Sequence, residues 1–368
     1  MIRRAWLRLW RALTLRRVLK WSLATFLVVI LLLLVPVAYV ELGCRGETGR
    51  QTYQPLITDA AFRRSESNTY LTYPEWHIVF AYDGLAQALK TGDEHAFDYI
   101  DSISSFWSST CALTRVASQH GGADWDTRSM IHTIGVSFTA EMLAKAAYEE
   151  SIGRFTAWLR GAHKTRQDAV IAAMAADYAA FLRQTPWYQY PFRRKAQELW
   201  APPVDQFVRG WERRLGIGLE FQAKAVYAKV LAGAVAATAP AQLVIRSVVS
   251  GLDPTVLARI PGVTVIGKRG DGVEIETPRY ALFTGILVDI ARRGGAIREI
   301  AGNDEVMVSV TVRERAASPI QHGTVILRMK RDGIPGERLL VNVKMADLAA
   351  FLNAYPLGEP GLEHVFDY

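Results

Sequence analysis

Residues 21–40 read Trp-Ser-Leu-Ala-Thr-Phe-Leu-Val-Val-Ile-Leu-Leu-Leu-Leu-Val-Pro-Val-Ala-Tyr-Val and carry no charge. A helix rises about 1.5 Å per residue, so the stretch covers about 30 Å, the thickness of a bilayer's hydrocarbon core. It predicts one transmembrane helix, and every later element is placed relative to it. Trp21 and Tyr39 stand at its ends, where aromatic rings favour the membrane interface.

The charge pattern orients this helix. Residues 1–20 hold Arg3, Arg4, Arg8, Arg11, Arg16, Arg17 and Lys20 and no acid. Basic residues flanking a first span stay cytoplasmic. The expectation is therefore a single-pass inner-membrane protein with its N-terminus in the cytoplasm and the bulk of the chain outside. Residues 3–17 form a candidate surface helix, with Trp6, Trp10 and Leu13 on one face and Arg4, Arg8 and Arg11 roughly opposite. The chain's net charge of +7 arises from this segment alone, because the remaining residues hold 36 basic and 36 acidic groups. A nucleic-acid surface is not implied.

A cleaved signal peptide fits less well. Its apolar core runs about 7–15 residues and ends at a small-x-small site. Pro36-Val37-Ala38-Tyr39 offers no such site, and Glu41 is a poor neighbour for lipoprotein processing at Leu42-Gly43-Cys44. The two cysteines, Cys44 and Cys111, are expected in an oxidising compartment, which permits a disulfide without requiring it.

The expected organisation is α+β: a cytoplasmic basic segment (1–20), the transmembrane helix (21–40), a polar stalk or cover segment (41–70), a mainly helical domain (71–240) and a C-terminal ferredoxin-like domain (241–368). In the helical part, Thr72 and Glu75 have capping-box spacing around Pro74, ahead of Ile78, Val79, Tyr82, Leu85, Ala86 and Leu89 at helical spacing. Asp93 and Asp126 are expected to cap the next two helices, the second over about 128–149. Further helices are expected near 152–160, 166–184, 192–199, 204–214 and 217–237. The loop Pro186-Trp187-Tyr188-Gln189-Tyr190-Pro191-Phe192, followed by Arg193, Arg194 and Lys195, is expected to pack on the domain, with a membrane-surface role as its rival. Residues 230–245 are uncharged, but the run is short and Ala-rich, split by Pro240 and bracketed by Lys229 and Arg246, which argues against a second crossing.

From about residue 242 the pattern becomes strand-rich. Strands near 242–249, 263–267, 273–277 and 296–300, with helices after Pro254 and Pro278, give β-α-β-β-α-β, the ferredoxin-like split unit. A strand at 306–312, a hairpin across Arg331-Asp332-Gly333 and a helix at 345–353 follow. Arg269-Gly270-Asp271 is read as a hairpin tip. No internal repeat is visible.

No phosphate loop, nucleophile elbow, His-Glu-x-x-His or paired-cysteine motif occurs, so a catalytic site would come from dispersed residues. Glu75, His77, His132 and Glu141 are candidates for acid–base chemistry, and His120, Asp124 and His132 for a metal. Each has a plainer role available: Glu75 and Asp126 in caps, His77 and His132 as hydrogen-bonded core histidines. Ser137, Glu141, Lys145 and Glu149 form a four-residue stripe, which is a solvated face unless it points inward, where it would need partners. No cofactor is identified. The leading expectation is a non-catalytic envelope component that binds a protein partner or small ligand. The alternative is a membrane-anchored enzyme with a His/carboxylate site in the helical domain. A ligand sensor in the C-terminal domain is a third reading, by fold analogy.

Overall fold

The computed structural model describes residues 2–49, 53–238, 243–313 and 319–368. The apolar stretch lies within one helix, α1 (Ile2–Gly43). Among the described residues, α1 is the one helix long and apolar enough to cross a membrane, over residues 17–43. Its last turn does not end in a tether. Val40 and Cys44 are buried, and Cys44 is disulfide-bonded to Cys111.

Short α2 (Asn68–Leu71) runs straight into α3 (Tyr73–Thr91), followed by α4 (Tyr99–Gln119), α5 (Trp125–Tyr148), α6 (Arg154–Arg160), α7 (Arg166–Leu182), α8 (Phe192–Glu198) and α9 (Phe207–Thr238). Three expected caps differ. Thr72 is itself helical because α2 precedes it, and its hydroxyl donates to the Thr69 carbonyl (3.0 Å) rather than capping α3. Asp93 precedes a 3₁₀ turn, and Asp98 caps α4 through the Asp101 amide. Asp124, not Asp126, caps α5, accepting from the Thr127 amide (2.8 Å). The helices expected at 204–214 and 217–237 are one, because Gly216 is a contact point and not a stop: a Cβ there would lie 2.1 Å from the Tyr148 hydroxyl. The end of α9 and the start of the next strand flank residues 239–242, which lie outside the described residues, as does part of the run weighed as a second crossing. The aromatic loop folds inward: Tyr190 and Phe192 are buried, and the Tyr190 hydroxyl donates to Asp177 (2.7 Å).

The helices have a defined polarity relative to α1. Gly43 O accepts from Arg115, and the Gly46 amide donates to Ser118, so the chain leaves α1 parallel to α4. α5 returns antiparallel to α4, the Trp107 indole donating to Thr139 (2.8 Å). α5 therefore runs back in the direction from which α1 came. α9 is antiparallel to α5, since Lys145 meets Glu220 and Glu149 meets Arg213.

The C-terminal part holds two four-stranded antiparallel sheets. The first is built from β1 (Val244–Ser250), α10 (Pro254–Leu257), β2 (Thr264–Arg269), β3 (Gly272–Pro278), α11 (Ala281–Arg292) and β4 (Ala296–Ile300), in the order β2-β3-β1-β4. The second comprises β5 (Glu305–Val312), β6 (Thr324–Lys330), β7 (Glu337–Lys344), α12 (Met345–Ala354) and β8 (Gly361–Val365), in the order β6-β7-β5-β8. The strand order is the same in both, with β5 in the place of β1. This repeat is one of topology, carried without visible sequence periodicity. β8 was not evident from its sequence, because Glu363 and His364 interrupt the apolar pattern. α11 packs on α12, and one core serves both sheets, including Val249, Ile275, Phe283, Leu287, Val341 and Phe351.

Apolar packing and a polar strip are among the contacts that join the halves. Tyr70, Tyr73, Trp76 and Phe80 pack against Met307, Leu340 and Phe366, each fully buried apolar side chain contributing about 1.5–3 kcal/mol. The segment expected as a stalk or cover lies along the first sheet. The Leu56 and Ile57 amides (2.5 and 2.8 Å) and the Tyr53 hydroxyl (2.8 Å) donate to the Glu299 carboxylate, and the Arg64 amide donates to Ala301 O (2.8 Å).

Candidate functional site

Three distant segments meet at one corner of this junction. Glu66 lies in the turn before α2, His120 caps the C-terminus of α4, and Glu305 opens β5. One ligand-type atom from each lies within 4.8 Å of the other two. Gly121 and Gly122 adopt left-handed φ of +94° and +72°, turning the chain sharply after His120. The Ser67 hydroxyl donates to Gly122 O (2.6 Å), which fixes Glu66 against that turn. The Thr69 hydroxyl donates to Phe366 O (2.8 Å) and accepts from the Met307 amide (3.0 Å), which holds α2 against β5. Asn342 donates to Glu305 (2.7 Å) and accepts from the Tyr70 hydroxyl (3.0 Å).

The hydrogen bonding defines the state of His120. Nδ1 is 2.8 Å from the Glu66 carboxylate, and Nε2 is 3.3 Å from the Tyr70 hydroxyl. The Tyr70 proton points to Asn342, so Nε2 donates to Tyr70 and Nδ1 to Glu66, which is the imidazolium pattern. The Glu66 hydrogen bond raises the His120 pKa against the opposing effect of burial, and Glu305 and Asp304 add to the rise. Burial and the nearby Glu66 push the Asp304 carboxyl up as well. Three carboxylates thus crowd one histidine. A divalent cation accepting two oxygens and one nitrogen would relieve the same repulsion, with bonds of about 2.0–2.2 Å after small side-chain adjustments.

Of the residues expected at a metal, only His120 is here. Asp124 caps α5, and His132 lies 2.7 Å from Glu41, beside Arg128. The four catalytic candidates occupy four environments. Glu75 is exposed, near Arg279 and Asp367. His77 is buried among Tyr73, Phe106 and Phe138; its Nε2 donates to Ser102 O (3.0 Å), 3.5 Å from Asp332. Burial lowers its pKa despite Asp332, so it is neutral. His132 binds Glu41, and Glu141 accepts from the Tyr82 hydroxyl.

Glu141, Lys145 and Glu149 of the stripe on α5 point inward and are matched on α9. Glu141 pairs with Lys224 (2.6 Å), Lys145 with Glu220 (2.8 Å), Tyr148 with Glu212, and Glu149 with Arg213 through two bonds of 2.8 Å. The ladder ends in a dense cluster. Arg209 contacts Asp168 (3.0 Å), Glu94 (3.2 Å) and Glu212 (3.2 Å), and Arg160 bridges Asp168 and Asp93. A π-helical turn begins at Glu149 and runs to Gly153, and Gly153 leaves room for the Glu149 carboxylate, which a Cβ would approach to 2.2 Å. Burial alone would raise the Asp168 carboxyl, but Arg209 and the Thr165 amide hold it low. Burial likewise opposes the charge on Lys224, yet Glu141, Tyr82 and Glu220 raise its pKa well above the usual range. Glu66, Glu305, Arg209 and Arg213 were not singled out by sequence reasoning. The available signal was the recurrence of charges at 209, 212, 213, 220 and 224, one side of one helix.

Compared with known protein families, with characterised proteins and with solved structures, the chain matches none of them.

Proposed function

We propose that this is a single-pass inner-membrane protein with a cytoplasmic N-terminus, whose extracytoplasmic part is a non-catalytic component of the cell envelope that binds a protein partner. In this reading α1 spans the bilayer, and the first C-terminal sheet with its helices is a ferredoxin-like unit. The observation that carries the reading is the continuity of α1. The apolar helix passes without a break into the helical core, where the Cys44–Cys111 disulfide and the Glu41 contacts with Arg128 and His132 clasp it. A clasped span couples the membrane to the folded part as one lever, which suits an assembly component better than a freely tethered enzyme. The arginines before the span support the orientation, and the disulfide supports an oxidising compartment. The antiparallel strand order of the first sheet supports the ferredoxin-like assignment. Crosslinking in native membranes, followed by purification of the full chain, is expected to give a defined heteromeric complex. A clean monomer with no crosslinked partner overturns the reading.

A second reading, favoured by the Glu66–His120–Glu305 corner, is a metal-dependent protein. Elemental analysis of the full chain purified without chelator tests it, beside Glu66→Gln and Glu305→Gln. Stoichiometric zinc, manganese or iron that both variants lose supports it; a metal-free protein whose melting temperature ignores added cations removes it.

A further inference from the structure

α9 is inverted. A helix on the surface of a water-soluble domain buries its apolar stripe and exposes its charges. Over its first half α9 does the reverse: Arg209 and Arg213 are 1% and 0% exposed, whereas Phe207 and Leu219 are 79% and 73% exposed. Phe207, Trp211, Leu215 and Leu219 recur every four residues and form one outward row. α6 also turns large apolar side chains outward, with the exposed Arg154–Glu150 pair at its start. Thr156 and Ala157 are buried, while Phe155 and Trp158 face out, Trp158 at 73% exposure. α6 packs beside α9, the Thr156 hydroxyl accepting from Arg209 and donating to Glu212, so the two outward rows belong to adjoining helices.

Charges turned inward, mutually paired, with large apolar side chains turned outward, is the arrangement proteins adopt where the surrounding solvent is lipid. A contiguous exposed apolar surface on a soluble domain marks a membrane or protein contact. The path of the chain selects the membrane. α5 runs back toward the side from which α1 emerges, from His132, beside Glu41 at the end of the apolar span, to Glu149. Glu149 pairs with Arg213, so the N-terminal half of α9 and adjoining α6 lie at that returning end. The exposed indoles of Trp158 and Trp211 suit the headgroup boundary.

We infer that the outward face of α6 and α9 is a second membrane contact, lying in the acyl-chain boundary of the same bilayer that α1 crosses. The contact is monotopic, and the buried ion-pair ladder behind it lets an apolar exterior coexist with a charged seam. This rests on the reading of α1 as a span.

The test uses the full chain in phosphatidylcholine vesicles containing a phospholipid with a diazirine in its acyl chain. After illumination, labelled peptides are mapped by mass spectrometry. The expected result is labelling of residues 23–34 in α1 and also of 155–159 and 207–219, with Trp125 and Leu357, exposed apolar residues elsewhere, at background. In the double variant Leu215→Lys and Leu219→Lys, labelling of the α9 peptide falls severalfold while that of α1 is kept. Labelled α1 with α6 and α9 at background overturns the inference and leaves the span standing. Lipid labelling in none of the three removes the span reading and the inference with it. A protein crosslinked to the α6–α9 face in native membranes, with no lipid label there, assigns the face to a partner and also overturns it.

Discussion

Glu149 on α5 and Arg213 on α9 are joined by two hydrogen bonds of 2.8 Å, with both side chains shut from solvent. Glu94, 3.4 Å from the same guanidinium, and Glu212, at 3.2 Å, complete its surroundings. Desolvation makes such a pair a modest contributor to net stability, but removing one partner strands a buried charge. Arg213→Ala is therefore expected to destabilise the protein by about 3–5 kcal/mol. The double variant Glu149→Leu and Arg213→Met should recover most of that loss. Denaturant unfolding in detergent reads both values, and a loss below about 1 kcal/mol in the single variant would contradict the account.

The disulfide closes a loop between positions 67 residues apart. Loop-closure entropy for a ring of that size corresponds to about 4 kcal/mol. Cys111→Ser, or reduction of the native protein, is expected to lower the melting temperature by several degrees and to free the end of α1 from α4. Thermal melts with and without reductant check this; identical melts would show that the clasp adds nothing.

Gly84 sits in the interior of α3, where alanine normally gains up to about 1 kcal/mol. Here a Cβ would lie 2.0 Å from the Asp332 carbonyl, at the hairpin that packs on α3. Gly84→Ala is expected to destabilise the junction of helices and second sheet. Gly285 in α11 has no atom within 4 Å of the same added carbon, so Gly285→Ala should stabilise by about 0.5–1 kcal/mol. Paired melts of the two variants should move in opposite directions.

Several histidines shape the response to acid. His364 is stacked on Trp76, and its Nδ1 lies 3.0 Å from the Thr284 hydroxyl, which accepts from the Val365 amide. Burial pushes its pKa well down, as it does for His77. Below about pH 6.5 the unfolded chain binds protons that the folded protein excludes, so stability falls as pH drops from 7 toward 5, by at most about 1.4 kcal/mol per unit for each histidine. His120 acts in the opposite sense. Its raised pKa gives a contribution that is complete below about pH 6.5 and is lost as pH rises through its folded value. His132 is also depressed, by burial and by Arg128, so three depressed histidines outweigh one raised one in the acid range. His364→Asn should flatten the slope of unfolding midpoint against pH between 5 and 7, whereas Glu66→Gln should steepen it.

Much of the secondary structure was legible because it rests on local spacing. The apolar period of α3 and the alternation in β5 follow from one face being buried, and each is visible in a short window. The caps at Asp93 and Asp126 were displaced, because a neighbouring acid, Asp98 for Asp93 or Asp124 for Asp126, stood closer to where the chain turned. The site was less legible for a different reason. Glu66, His120 and Glu305 converge only because α2 docks on β5 through Thr69, a contact between residues more than two hundred positions apart. The inward stripe on α5 was readable as a condition, since its meaning depended on which way α9 would turn, and α9 turns its charges inward against the usual rule. The second sheet repeats the first in strand order with no repeated residues to signal it.

The central claim is that one span carries the whole folded part across to the extracytoplasmic side. A reporter active only outside the cytoplasm, fused after Tyr368, tests this most directly, paired with a cytoplasm-only reporter at the same position. The account predicts activity from the first, silence from the second, and an oxidised Cys44–Cys111 pair in the first fusion. Activity of the cytoplasmic reporter at Tyr368 would contradict it.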